Sequence, residues 1–425
     1  MKKIIQQKEL KYIFSKGGIT VLFRISSMVL GFVNTWLITN YFGDAVYGRF
    51  AVALTILQLT AMVFALGTPT AFVSFSGKFD DDSQRKGLFN KISIIVFFST
   101  LIPAILFFFG AEFISLQLFN KQKLTPYIII LGLGVVLVTL HGVMCNYFVA
   151  TKKFITHGLL LFLIPNILFF ILLITVSQLN YPPFFTFLAY TASFSLTSIV
   201  GFLVIYFNKH KPGKTQLSTK AILKSSTPMM ISGLFLVLLS WTDTLMLGFF
   251  EPESEIGIYN VAIKVGYLTL FIVASMNVII MPKVSELFHL QDFKAMKTIV
   301  NKTTQTIILL TIPVALFIIF LSKTILSFFG DSFTSGSLAL IIITTGTLIN
   351  AAMGNGDQIL NMTNNQNIVK NIFIAGFIIN VTFNLVLIPL FGINGAAAAS
   401  LVTNVFINIL IVLVIKKRLG FYTMF

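Results

Sequence analysis

The chain has 425 residues, 56% of them hydrophobic and 10% charged, with a mean hydropathy of +0.92 and a formal net charge of +16. A soluble domain carries about 25% charged residues, so a soluble globular or disordered chain is excluded. One cysteine, Cys145, excludes disulfides and thiolate metal clusters.

The N-terminus, MKKIIQQKELKYIFSKGG, is basic, and no small-residue cleavage site follows a short apolar core. It reads as a retained arm lying on the membrane surface, not a signal peptide. Twelve apolar runs follow, each near the roughly 20 residues that a helix needs to cross a bilayer. The first six lie at about 19–40, 46–68, 92–110, 126–149, 156–177 and 184–207. The second six lie at about 228–250, 257–281, 305–322, 337–359, 371–391 and 395–415. No connection is long enough for a soluble domain. The fold class is therefore an all-α polytopic membrane protein.

Cationic loops resist translocation, so lysine and arginine report orientation. The N-terminal arm and the loops on its side carry 24 of them, against 3 (Lys121, Lys123 and Lys323) on the opposite side. This predicts both termini in the cytoplasm, facing the anionic inner leaflet. The cations are spread over seven short segments, which speaks against nucleic-acid binding.

The chain repeats itself. Gly48-x-Phe50-x-Val52-Ala53 returns as Gly257-x-Tyr259-x-Val261-Ala262, an offset of 209. Ile102-Pro103-x-x-Leu106-Phe107 returns as Ile312-Pro313-x-x-Leu316-Phe317, an offset of 210. Six spans is an even number, so the second half re-enters the membrane with the same orientation. The expected architecture is two six-helix bundles related by a parallel pseudo-two-fold repeat, as in transporters. Residues 1–207 form the first bundle with its basic arm. Residues 208–227 form a basic cytoplasmic linker, and 228–425 form the second bundle. Two facing bundles enclose a cleft that rocking can open to either side.

Charge inside a membrane is costly and marks a pathway or a partner. Asp243 is fifteen residues into the seventh span, about 22 Å from its start. Lys264 is about 10 Å into the eighth from the other side, at a similar depth. The two are read either as a salt bridge or as transport residues. Arg24, about 8 Å into the first span, either snorkels to the surface or grips a phosphate with its forked donors. Arg49 reads as snorkelling at the outer end of the second span. His141 reads as a hydrogen-bonded helix contact, and Asp357 as wetted. Asn34, Thr35, Asn350, Asn380 and Asn384 either line a sugar-binding cleft or tie helices together. Gly213-Lys214-Thr215 lacks the earlier glycine of a phosphate loop, because Asn208 stands there. The four histidines lack metal-ligand spacing. No catalytic motif and no metal or other cofactor site is expected.

One ordered set of motifs is similar to a known family. It runs from Tyr41-Phe42-Gly43 and Tyr47-Gly48-x-Phe50 to Trp241-Thr242-Asp243-x-x-Met246-Leu247-Gly248. It continues with Ile256-Gly257-x-Tyr259-Asn260-x-Ala262 and ends at Pro389-Leu-Phe-Gly392-Ile-Asn-Gly395. Along its whole length the chain resembles the bacterial polysaccharide repeat-unit flippases of the O-antigen type. These belong to the multidrug/oligosaccharidyl-lipid/polysaccharide exporter superfamily. The resemblance implies a non-enzymatic transporter in the bacterial inner membrane. Its cargo would be an undecaprenyl-diphosphate-linked oligosaccharide, moved from the cytoplasmic to the outer leaflet by alternating access. Its partners would be that lipid-linked cargo, membrane lipid and the polysaccharide polymerase machinery. On this reading Arg24, Lys264, Asn34 and Asn380 meet the diphosphate and sugars, and Asp243 couples transport to an H⁺ or Na⁺ gradient. The alternative within the superfamily is a cation-coupled multidrug extruder, which Asp243 would suit and the two cations would not. A polymerase or ligase would need a large outer loop, and the longest outer connection here is only about residues 111–125.

Overall fold

The computed structural model describes residues 2–79, 81–207, 211–213, 215 and 217–423, and every regular element among them is helical. The charged side chains of the N-terminal arm lie outside what is described, as do Asn208, Lys209, His210, Lys214 and Gln216 of the expected linker. Among the described residues, ten helices are long and apolar enough to cross a membrane, and the bent Thr219–Phe250 helix makes eleven. The last of the ten, Gln366–Leu419, has 54 residues. At 1.5 Å per residue it would run about 81 Å, more than twice a hydrocarbon core of about 30 Å. Its backbone breaks at Gly392, with φ 58° and ψ −134°. Counted as two arms it brings the total to twelve, the number of apolar runs in the sequence.

The chain forms two compact units, Met1–Phe42 with Ala53–Leu234, and Gly43–Val52 with Phe235–Phe425. The division therefore falls inside the Asp44–Phe64 and Thr219–Phe250 helices and not at 208–227. The described linker residues are stitched onto the first unit. Gly213 N donates to Ser83 O at 2.9 Å, and Lys91 Nζ to Leu217 O at 2.7 Å.

In the first unit the Asp82–Phe109 and Thr125–Ala150 helices touch backbone to backbone. A Cβ on Gly132 would stand 2.8 Å from Ala104 O and from Phe108 N. Phe72, Phe89, Tyr147 and Phe148 fill the core beside them, with the Phe89 and Tyr147 rings 5.0 Å apart. His141 behaves as a helix contact. Its Nε2 lies 2.9 Å from Leu160 O, on the Leu159–Leu163 π-turn, where the wider winding frees carbonyls from the regular ladder.

The second unit brings the repeated glycines together. A Cβ on Gly48 would stand 1.7 Å from Glu253 O, and one on Gly257 would stand 2.2 Å from Asp44 O. Asp44 and Glu253 are themselves 209 apart, so the contact is reciprocal between equivalent positions. Arg49 is not a snorkelling side chain. Its Nε lies 3.3 Å from Glu253 Oε2, with both side chains largely buried. The glycine crossing brings the two helices close enough for the pair to form.

The hairpin at Gly392 needs glycine twice. Its positive φ is a conformation that L side chains rarely adopt. A Cβ on Gly395 would stand 2.0 Å from Leu387 O, where the second arm leaves the first. Gly392→Ala is expected to cost about 1–3 kcal/mol through backbone strain. An unfolding titration in mixed detergent micelles reads this as an earlier midpoint, and an unchanged midpoint would show that the turn relaxes.

Candidate functional site

Asp243 stands on the second-unit half of the Thr219–Phe250 helix and is 5% exposed. Four neutral side chains donate to its carboxylate. Tyr259 OH reaches Oδ2 at 2.7 Å, and Ser400 Oγ donates to the same oxygen. Asn384 Nδ2 reaches Oδ1 at 2.8 Å and Asn380 Nδ2 at 3.3 Å. A carboxylate has about four lone-pair sites, and all four are met. The ring replaces water for a charge buried where it would otherwise be very costly.

The fold explains why these residues meet. Asn380 and Asn384 are four apart, so their amides share one helix face, and Asn384 Nδ2 also lies 3.1 Å from Asn380 Oδ1. Asn384 and Ser400 flank Gly392 by eight residues each, about 12 Å along either arm of the hairpin. They therefore stand at one depth. Tyr259 arrives from the Glu253–Gly266 helix, whose Asn260 accepts from Thr244 Oγ1 at 3.0 Å.

The described hydrogen bonds of Asp243 come from these four neutral groups. In the sequence Lys264 was set beside it by depth alone. Lys264 is five residues beyond Tyr259, about 140° around the helix at 3.6 residues per turn. It lies four beyond Asn260 and shares that face instead. Lys264 is half-buried in the second unit.

Arg24 and Asn34 belong to the first unit. Arg24 is exposed. Asn34 is 2% exposed and donates Nδ2 to Asn166 O at 3.3 Å, while Asn166 Nδ2 reaches Ser27 Oγ at 3.0 Å. Asn34 is thus a helix tie, although its Oδ1 meets no donor among the described residues. Residues 34 and 243 differ by the repeat offset of 209, as do Asn34-Thr35 and Asp243-Thr244 as pairs. The two halves carry an amide and a carboxylate at the same place.

One space adjoins the carboxylate and a second adjoins that one. The first, of about 10 Å³, is lined by Asp243, Tyr259, Tyr267, Ser400 and Asn404 among others. The second, of about 370 Å³, shares Tyr267, Ser400 and Asn404 with it and extends to Asn355 and Asp357. Sequence reasoning named Asp243, Asn380 and Asn384 but missed Tyr259 and Ser400. The available signal for Tyr259 was its repeat partner, Phe50, which has the same ring without the hydroxyl.

A family model described as "Polysaccharide biosynthesis protein" matches residues 13–288. A second, described as "MatE", matches residues 228–386. Two curated relatives come from Haloferax volcanii. The "Probable flippase AglR" is 26% identical over 181 residues, 42% of this chain and 38% of that one. The "Probable low-salt glycan biosynthesis flippase Agl15" is 27% identical over 178 residues, 42% of this chain and 37% of that one. The matched stretch spans less than half the length of either relative. Among solved structures, the lipid II flippase MurJ in an inward closed conformation aligns with a TM-score of 0.76 at 20% identity, covering 93% of this chain and 87% of that one. An inward-facing multidrug resistance MATE family transporter aligns with a TM-score of 0.80 at 12% identity, covering 94% and 98%. These likenesses show the fold.

Proposed function

Because the chain belongs to the polysaccharide biosynthesis protein family, we propose that it is a flippase for lipid-linked oligosaccharide. The observation that carries this reading is the buried carboxylate of Asp243, held by neutral donors within the membrane bundle of a chain of this family. A glycan and its diphosphate cannot enter hydrocarbon without losing their hydrogen bonds to water. Their lipid tail can stay in the bilayer while the protein supplies a polar route for the head. The lysine and arginine bias supports cytoplasmic termini and transport from the cytoplasmic to the outer leaflet. We take the membrane to be the bacterial inner membrane and the carrier to be undecaprenyl diphosphate. O-antigen is the leading polymer, and the polymerase machinery is the partner that receives the unit.

In this reading the exposed guanidinium of Arg24 offers forked donors to the diphosphate. Lys264 is a second cation, serving the diphosphate at a later stage near the outer side. Asn34 and Asn380 each keep a structural bond, to Asn166 O and to Asp243, and offer their remaining polar capacity to sugar. Asp243 alternates between a charged state and one neutralised by H⁺ or Na⁺, and that change couples the gradient to transport. The protein works as a transporter and not an enzyme. The second reading is a cation-coupled multidrug extruder, favoured by the MatE match, whose range includes Asp243.

The test is deletion of the gene followed by measurement of lipid-linked oligosaccharide with a glycan-cleaving probe confined to the outer face. Cargo retained inside, with loss of surface polymer, is the expected result. Normal outward display with new sensitivity to cationic dyes would replace the flippase reading with the extruder.

A further inference from the structure

We propose that the 370 Å³ cavity of the second unit is a binding site for one uncharged sugar ring of the cargo, separate from whatever holds the diphosphate. The inference rests on the flippase reading and adds to it where one part of the cargo is held.

Size separates this cavity from the small void beside Asp243. A water needs about 10–15 Å³ of such volume, so the 10 Å³ void next to the carboxylate has room for a single water or bare cation. The larger cavity, at 370 Å³, lies near the lower end of the roughly 300–1,000 Å³ range of small-molecule sites. It is far larger than an ion requires.

Chemistry then selects the ligand. Six asparagines line the cavity: Asn277, Asn350, Asn355, Asn380, Asn404 and Asn408. Four of them are committed to other groups. Asn355 donates to Asn277, Asn408 donates to Asn404 O at 2.8 Å, and Asn380 serves Asp243. The side-chain amides of Asn350 and Asn404 make no hydrogen bond among the described residues. Each brings two donors and an acceptor to the cavity. That mixture suits hydroxyls, which both give and take hydrogen bonds. A bare cation would use only acceptors. A diphosphate would need cations, and none of the lining residues is Lys, Arg or His, while Asp357 would repel it. Tyr267 adds an aromatic wall. Asn350 and Asn404 are half-buried, so their amides remain open to a polar ligand in the cavity.

Ser400 and Asn404 border both spaces. Ser400 also bonds the Asp243 carboxylate, so sugar in the cavity and charge on Asp243 meet at one side chain, which gives the transporter a short physical link between cargo and ion. Such a link acts reciprocally on the two affinities.

Ala274 lines the cavity and carries no polar group, so Ala274→Cys reports on the space without removing an amide. Wild type, whose Cys145 is 1% exposed, gives the background. The full chain in nanodiscs is treated with a water-soluble thiol reagent, alone or with methyl glycosides of glucose, galactose and N-acetylglucosamine. A ligand at about twice its dissociation constant slows labelling about threefold, by the factor 1 + [L]/Kd. At least one glycoside is expected to give that protection, and inorganic pyrophosphate none. Adding Asn404→Leu together with Asn350→Leu should abolish the protection, measured against that variant's own sugar-free rate. The proposal is overturned if no glycoside protects, if pyrophosphate protects equally, or if protection survives both leucines. A wild type that moves cargo outward but shows no glycoside protection would sink the sugar site alone. Protection in a protein that leaves cargo display unaltered would sink the flippase reading and keep a neutral-sugar site.

Discussion

Asp243→Asn is expected to fold normally and lose at least about tenfold in transport rate, the equivalent of about 1.4 kcal/mol on the barrier. The geometry explains why folding survives. The new Oδ1 can still accept from Asn380 and Asn384. The new amide nitrogen can donate to the oxygens of Tyr259 and Ser400, because a hydroxyl can turn from donor to acceptor. What is lost is the ability to change charge. Asp243→Leu should behave differently. It leaves three buried donors and the half-buried Ser400 hydroxyl facing a hydrocarbon side chain, at about 1–3 kcal/mol for each buried one left unsatisfied. That variant should show a lower unfolding midpoint as well as lost transport. Outward display of cargo together with thermal melts of both variants decides the matter. An Asp243→Asn protein with wild-type transport would remove Asp243 from the coupling role.

Gly48→Ala and Gly257→Ala should each destabilise the protein by about 1–3 kcal/mol, the usual cost of overpacking. Here the clash is with backbone, since the added carbons would lie 1.7 Å and 2.2 Å from carbonyl oxygens. No rotamer relieves such a contact, so the helices themselves must part. Parting stretches the Arg49–Glu253 ion pair at the same crossing. The double variant should cost less than the sum of the two single ones, because either methyl already opens the contact that the other would meet. Unfolding titrations of the three variants test this. Full additivity would mean that the two glycines act at separate places.

Much of the fold was legible because hydropathy is a strong signal in a chain that must satisfy its backbone without water. The twelve apolar runs and the duplicated motif needed no structure. The unit boundary was harder to read. A polar, basic stretch such as 208–227 looks like a tether, and its docking on Ser83 and Lys91 depends on contacts more than a hundred residues away. At the site, Asp243 stood out by its charge and the asparagines by their spacing. Ser400 did not, because a serine on an apolar helix usually bonds its own backbone. Only the turn at Gly392 sets it level with Asn384. Arg49 was misread because Glu253 lies in the other half of the sequence.

The reciprocal meeting of Gly48 and Gly257 also bears on how such a chain arose. Before duplication, one gene would have encoded one half, and two copies would have paired across a true two-fold axis. In that homodimer the glycine faces its own twin, as an isologous contact requires. Every mutation there is felt twice, so the glycine is frozen and the axis is kept. An acid in such a dimer is also doubled, and it cannot be set against an amide at the equivalent place. Fusion into one chain lifts that constraint. Asn34 and Asp243, or Phe50 and Tyr259, can then drift apart while the glycines on the axis stay the same. In one chain, one half can hold an aspartate where the other half has an asparagine.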